Sequence, residues 1–159
     1  MIWFAVIVGG GILVGLIYYN KRKESAAVES GSAVNRGHDF FRQIHIFKTK
    51  TPHLEEIYQA MDKSSFAERS IRSKIDSHTG NIIFQNQALG GSFIATLKLQ
   101  GQDSGLYLYT FQFNDWKANH GYPSAKDELS GNIVLTSIEK AIVSLDSDAI
   151  ITRDFVKSR

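Results

Sequence analysis

The sequence predicts an α+β fold: a two-layer domain, its antiparallel sheet packed by two helices, behind an N-terminal apolar helix long enough to cross a membrane. Three observations carry this. Residues 1–19 contain no charged side chain. Between residues 69 and 114, short alternating segments follow one another through turn sequences too brief for a helical crossover. Two other stretches, 51–61 and 124–147, carry apolar residues at helical spacing.

Residues 1–19, MIWFAVIVGGGILVGLIYY, would span roughly 28 Å as a helix, close to the hydrocarbon thickness of a bilayer. Trp3 lies near one end and Tyr18 with Tyr19 at the other, where amphipathic rings favour the headgroup level. A cleaved signal peptide needs basic residues before its apolar run and small residues after it. Here Lys21, Arg22 and Lys23 follow the run, so the positive-inside rule predicts an uncleaved single-pass anchor over residues 1–20, N-terminus outside and the remainder cytoplasmic. Those three cations could also attract anionic lipid, making residues 1–23 the lipid-contacting part. Gly11 and Gly15 form one G-x-x-x-G, a candidate homodimer contact, although glycine is common in membrane helices without such a role.

Residues 21–37 join the basic run to ESAAVESGSAVNRG, small and polar with no sustained period, and are expected to be a flexible linker reaching about 20 Å. Residues 38–159 are then the folded domain. Within it, residues 39–48 read as a strand with Phe41 and Phe47 on one face and Ile44 and Ile46 on the other. Thr51 is a candidate N-cap with Pro52 at the first helical position. Leu54, Ile57, Tyr58 and Met61 then mark a helix of about three turns. Residues 69–76 alternate Ile71 and Ile75 against Arg72 and Lys74, a half-exposed strand. Strands over 81–85, 92–100 and 106–114 follow, separated by Gly80, Gly90-Gly91 and Gly105. The last places Tyr107, Tyr109, Phe111 and Phe113 on one face.

Ser124 and Asp127 have the spacing of a capping box with Asp in place of Glu. Val134, Ile138, Ala141, Ile142 and Leu145 mark the core stripe of a long helix ending near Ser147, with Gly131 as a candidate break or bend. Residues 149–159 fit either a short terminal helix or a late strand. The resulting order, β-α-β-β-β-β-α over residues 39–147, resembles the TATA-binding-protein-like and helix-grip topologies, in which a curved sheet wraps a long C-terminal helix. The resemblance is one of element order and implies no function.

The chain has no cysteine, which excludes disulfides, thiolate metal sites and cysteine nucleophiles. Its formal charge is +2, but residues 24–159 hold fifteen basic and sixteen acidic side chains, so the basic balance is no argument for a nucleic-acid footprint over the main domain, and no nucleic-acid partner is expected. His38, His45, His53, His78 and His120 are scattered without metal-site spacing, and no phosphate loop, nucleophile elbow or cofactor motif occurs. No metal or cofactor is expected.

Residues 114–123, NDWKANHGYP, form the most unusual stretch and carry Trp116, His120 and Tyr122. Loops on a rigid scaffold often bind, yet rings of this size also fold back to cap a sheet or helix end. Arg72 and Lys74 offer a second surface for acidic partners or headgroups, or simply a solvated edge strand. A membrane-anchored binding module for a protein partner or an apolar small ligand is the first functional expectation. The alternative is a membrane-tethered enzyme acting on a small or lipid-proximal substrate, with His120 or His45 as general acid/base.

Overall fold

The computed structural model describes residues 22–23, 25–87, 92–117 and 121–155. The expected anchor over residues 1–20, with Trp3, Gly11, Gly15, Tyr18, Tyr19 and the adjoining Lys21, lies outside the described residues. Among the described residues, no helix is long and apolar enough to cross a membrane.

The domain is α+β. A 3-10 turn, His38–Arg42, leads into β1, Gln43–Thr49, followed by α1, Leu54–Ala60. Four strands come next: β2, Ile71–Ile75; β3, Ile82–Asn86; β4, Phe93–Asp103; and β5, Leu106–Trp116. The long helix α2, Ala125–Leu145, precedes β6, Ile150–Phe155. All six strands form one sheet in the order β2-β3-β4-β5-β1-β6, and every neighbouring pair is antiparallel.

The meander follows from the turns. Ser104 and Gly105 link β4 to β5 with φ of 54° and 82°. Two consecutive positive φ values are the two-residue turn whose twist matches that of the flanking strands, and glycine adopts one of them without a Cβ clash. The inner face of the sheet carries Phe47, Ile82, Phe84, Phe93, Ala95, Leu97, Tyr109, Phe111 and Phe113, all buried. Their alternation with half-exposed or exposed neighbours puts both helices on this one face.

Several expectations need correcting. Residues 39–42 are not strand: the Phe40 and Phe41 rings meet edge to face at 4.9 Å, and the backbone turns before β1 begins. Helix α1 is shorter than expected and is entered at His53, without a side-chain cap, rather than at Thr51. Thr51 instead lies buried, its carbonyl accepting from Tyr109 Oη at 2.8 Å. Of the two readings open for the chain after α2, the strand is the one that forms, β6, because β1 still has an unpaired edge that residues 150–155 satisfy.

Gly131 neither breaks nor bends α2 into two helices. A Cβ there would lie 2.7 Å from two ring atoms of Phe41 and 2.9 Å from Phe113 Cζ, so its value is close approach. The expected stripe is buried from Val134 to Ile142, but Leu145 is exposed. Residues 129–138 are buried on every side of the helix, which an amphipathic stripe does not anticipate. The sheet covers one side, and Ser137 Oγ donates to the Asp62 carbonyl at 2.7 Å from another. The third cover is the segment expected to be a loose linker.

That segment is held in place. Residues 25–29 are helical, Ala27 and Ala33 are buried, and Arg36 reaches Glu139, Asn132 and Thr136 on α2. Composition reads as flexible here because small polar residues have little core to bury. One arginine with a matched acceptor set orders the segment nonetheless.

Candidate functional site

Trp116 ends β5, paired with Phe93 across the ladder, and its half-buried ring meets Phe41 edge to face at 5.9 Å. The backbone just beyond is pinned, Lys117 N–H donating to the Ser92 carbonyl at 2.9 Å. Trp116 thus belongs partly to the core. Tyr122 does not: it is 47% exposed, with the Arg42 guanidinium 4.6 Å above its ring. Arg42 also donates from Nη2 to the Gly121 carbonyl at 2.6 Å, tying this end of the loop to the 3-10 turn. His120 lies outside the described residues. Arg42 went unnoticed in the sequence, where nothing local links it to a tyrosine eighty positions away.

Where the loop meets α2, Ser124 caps the helix, its Oγ receiving the Asp127 N–H at 3.2 Å. The same hydroxyl donates to Asp127 Oδ2 at 2.9 Å. Burial pushes the Asp127 carboxyl above the usual carboxylate range, against the hydrogen bonds that favour its charge. The chemistry is that of a helix cap, as the spacing predicted.

Arg72 and Lys74 are exposed on the outer face of β2, the first strand of the sheet. The register joins them to the loop more closely than the sequence suggested. Arg72 lies opposite Gln85, Gln85 opposite Ile94, and Ile94 opposite Asp115, the residue before Trp116. One row thus crosses four strands, about 14 Å at the usual strand spacing. Lys74, Ile83, Thr96 and Gln112 form the next row, and Lys98, Thr110, Ile46 and Thr152 occupy the one after. The outer face therefore mixes cations, amides and aliphatic groups, and Ile94 and Ile150 on it are 39% and 48% exposed. No single strand reveals this face, since its members come from all six.

His45, one of the two histidines considered as an acid/base, is fully buried on the inner face of β1. Its Nε2 contacts the Phe40 carbonyl at 3.0 Å, and burial pushes its pKa down to about 4 from 6.5. It is a neutral core residue at pH 7, closed to substrate. Among the described residues, no three metal-ligating side chains converge. Asp146, by contrast, is held below the usual carboxylate range, mainly by the Lys50 N–H and also by Thr49, bonds that fasten the end of β1 to the turn before β6.

The fold and these surfaces define a class, a two-layer α+β domain in which, among the described residues, both helices lie on one face of the sheet. No family model matches the chain, and neither a curated protein nor a solved structure does so. The helix-grip likeness accordingly remains one of element order.

Proposed function

We propose that the protein is a single-pass membrane protein, N-terminus outside, whose cytoplasmic domain is a binding module capturing a protein partner on the outer face of its sheet. The observation that carries this is the one-sided layering. Both helices cover the inner face, while the outer face presents Ile94 to solvent in the same row as Arg72, with Lys74 in the next row and exposed Ile150 on the far edge strand β6. Exposed aliphatic groups set among cations suit a partner with apolar side chains flanked by carboxylates. The apolar run of residues 1–19 and the basic Lys21, Arg22 and Lys23 support the anchor and its orientation. With residues 25–36 held against α2, a short stretch separates that basic run from the folded surface, so the module would work close to the headgroups.

Two measurements test this. A C-terminal reporter active only outside the cytoplasm should stay silent, and strong activity there would overturn the orientation. Partner capture from solubilised membranes should be lost in an Ile94→Glu, Arg72→Glu chain with an unchanged melting transition. Undiminished capture would remove the outer face as the docking surface.

A further inference from the structure

Residues 31–36 are held on α2 in the way a receptor holds a peptide. The Asn132 amide takes Val34 at two points: Nδ2 donates to the Val34 carbonyl at 2.7 Å, and Oδ1 receives the Val34 N–H at 3.4 Å. A side-chain amide that pairs with both main-chain groups of one residue reads backbone and ignores the side chain. Two positions on, Arg36 supplies the specificity. Its Nε donates to Asn132 Oδ1 at 2.8 Å, Nη1 and Nη2 reach the two Glu139 oxygens at 3.0 and 2.5 Å, and Nη2 also reaches Thr136 Oγ1 at 3.3 Å. At the other end, Lys140 Nζ donates to the Gly31 carbonyl. Ala33, three residues before that arginine, is buried, 2% exposed.

Asn132, Thr136, Glu139 and Lys140 follow one another at helical spacing along a single flank of α2. All the groups that read belong to the helix, and all the groups read belong to the segment. The joint between segment and domain is Gly37, where a Cβ would meet nothing within 4 Å. The contacts thus specify a ligand without specifying which chain supplies it.

The geometry points to a recognition site on this flank of α2 for an irregular, arginine-bearing peptide of the form Ala-x-x-Arg, filled here by the chain's own residues 31–36 and able to take the same segment from a second copy. A second copy is the occupant because its segment re-forms every contact that the first one gives up, so an exchange loses no interaction at the site. Only the high effective concentration of the tethered segment opposes it. The bidentate guanidinium pair excludes lysine as an equal substitute, since an ammonium cannot span both carboxylate oxygens in this plane.

The test uses the full chain in detergent micelles and a labelled synthetic peptide of residues 25–37. Wild-type chain should bind it weakly, because its own segment competes. Arg36→Ala, which leaves the α2 groups untouched, should bind about tenfold more tightly or better, and a peptide carrying Gln in place of its arginine should lose that gain. Equal affinity for the two chains, or indifference to the peptide's arginine, overturns the site. A second experiment does not depend on how Arg36→Ala folds. Arg36→Glu and Glu139→Arg chains, differently tagged, each set like charges together, while exchange between them restores an opposite pair in both sites. Co-purification about tenfold above that of either variant with itself supports exchange. Peptide binding without such co-purification overturns the second copy as the source.

Discussion

Arg36 and Glu139, 103 residues apart, meet in a two-pronged ion pair at 3.0 and 2.5 Å. The arginine side chain is 1% exposed and the glutamate 17%, so the guanidinium has no bulk water as an alternative partner and the carboxylate has little. An ion pair this dry contributes modestly relative to an apolar replacement, but losing one member strands the other. It closes the domain around α2.

Because of that pair, the folded unit begins well before residue 38. A fragment starting at residue 38 leaves Glu139 without its cation and the Asn132 amide without Val34. It should be less stable than one starting at residue 22 by about 3 kcal/mol, the lower end of the cost of breaking a buried pair, since Glu139 keeps some water. Urea melts of the two fragments measure the difference, and coincident curves would show that the segment merely rests on the helix.

Gly131→Ala should destabilise, although alanine is the better helix former. The added methyl meets the Phe41 and Phe113 rings at 2.7–2.9 Å, and those two rings are stacked with centroids 3.8 Å apart, leaving little freedom to yield. Overpacking of this kind costs about 1–3 kcal/mol, more than the roughly 1 kcal/mol gained in helix propensity. Shrinking the neighbour in Phe41→Leu should remove part of the penalty in a double-mutant cycle.

Trp116→Ala and Tyr122→Ala should separate the two aromatic residues of the loop. Trp116 is half-buried against Phe41, so its truncation should cost about 2 kcal/mol, below the 3–5 expected for a fully buried ring. Tyr122, exposed under Arg42, should cost less than about 1 kcal/mol. Denaturant melts rank them, and equal losses would mean that Tyr122 is as much a part of the core as Trp116.

His45 makes the fold sensitive to mild acid. Its folded pKa is depressed, to about 4 from 6.5, so the unfolded chain takes up the proton first. Its contribution to stability is complete above about pH 6.5, declines as pH falls towards 4 and levels off below. The full loss is about 3 kcal/mol, at about 1.4 kcal/mol per pH unit. Asp127, whose pKa is raised by burial, acts in the opposite sense and regains stability on protonation in the carboxylate range. Urea midpoints at pH 7.5, 6.5, 5.5 and 4.5 should fall for the wild type and flatten between 6.5 and 4.5 for His45→Gln. A slope that survives the substitution would assign it to other groups.

The parts of the fold legible in the sequence are those whose physics is local. The inner face of β5 alternates Tyr107, Tyr109, Phe111 and Phe113, and the Ser124 cap with Asp127 opens α2 as its spacing predicts. Ser104 and Gly105 announce their turn because the required φ values favour few residue types. Ile71 and Arg72 likewise show which face of β2 is buried.

Other features depend on partners distant in the chain. Residues 150–155 become strand because β1 has an edge to offer, and their own pattern fits a helix equally well. The row from Arg72 to Asp115 exists only through strand register, and His45 is buried only because α2 and the sheet close over it.

The sequence by itself determined an α+β chain with a run of antiparallel strands, two helices, and an uncharged N-terminal stretch followed by three cations, because periodicity, turn chemistry and charge order are written in neighbouring residues. Only the tertiary structure decided that residues 25–36 belong to the domain. The reason lies in Arg36: its partners Asn132, Thr136 and Glu139 are about a hundred positions away, and a single buried guanidinium orders a segment whose composition alone would leave it free.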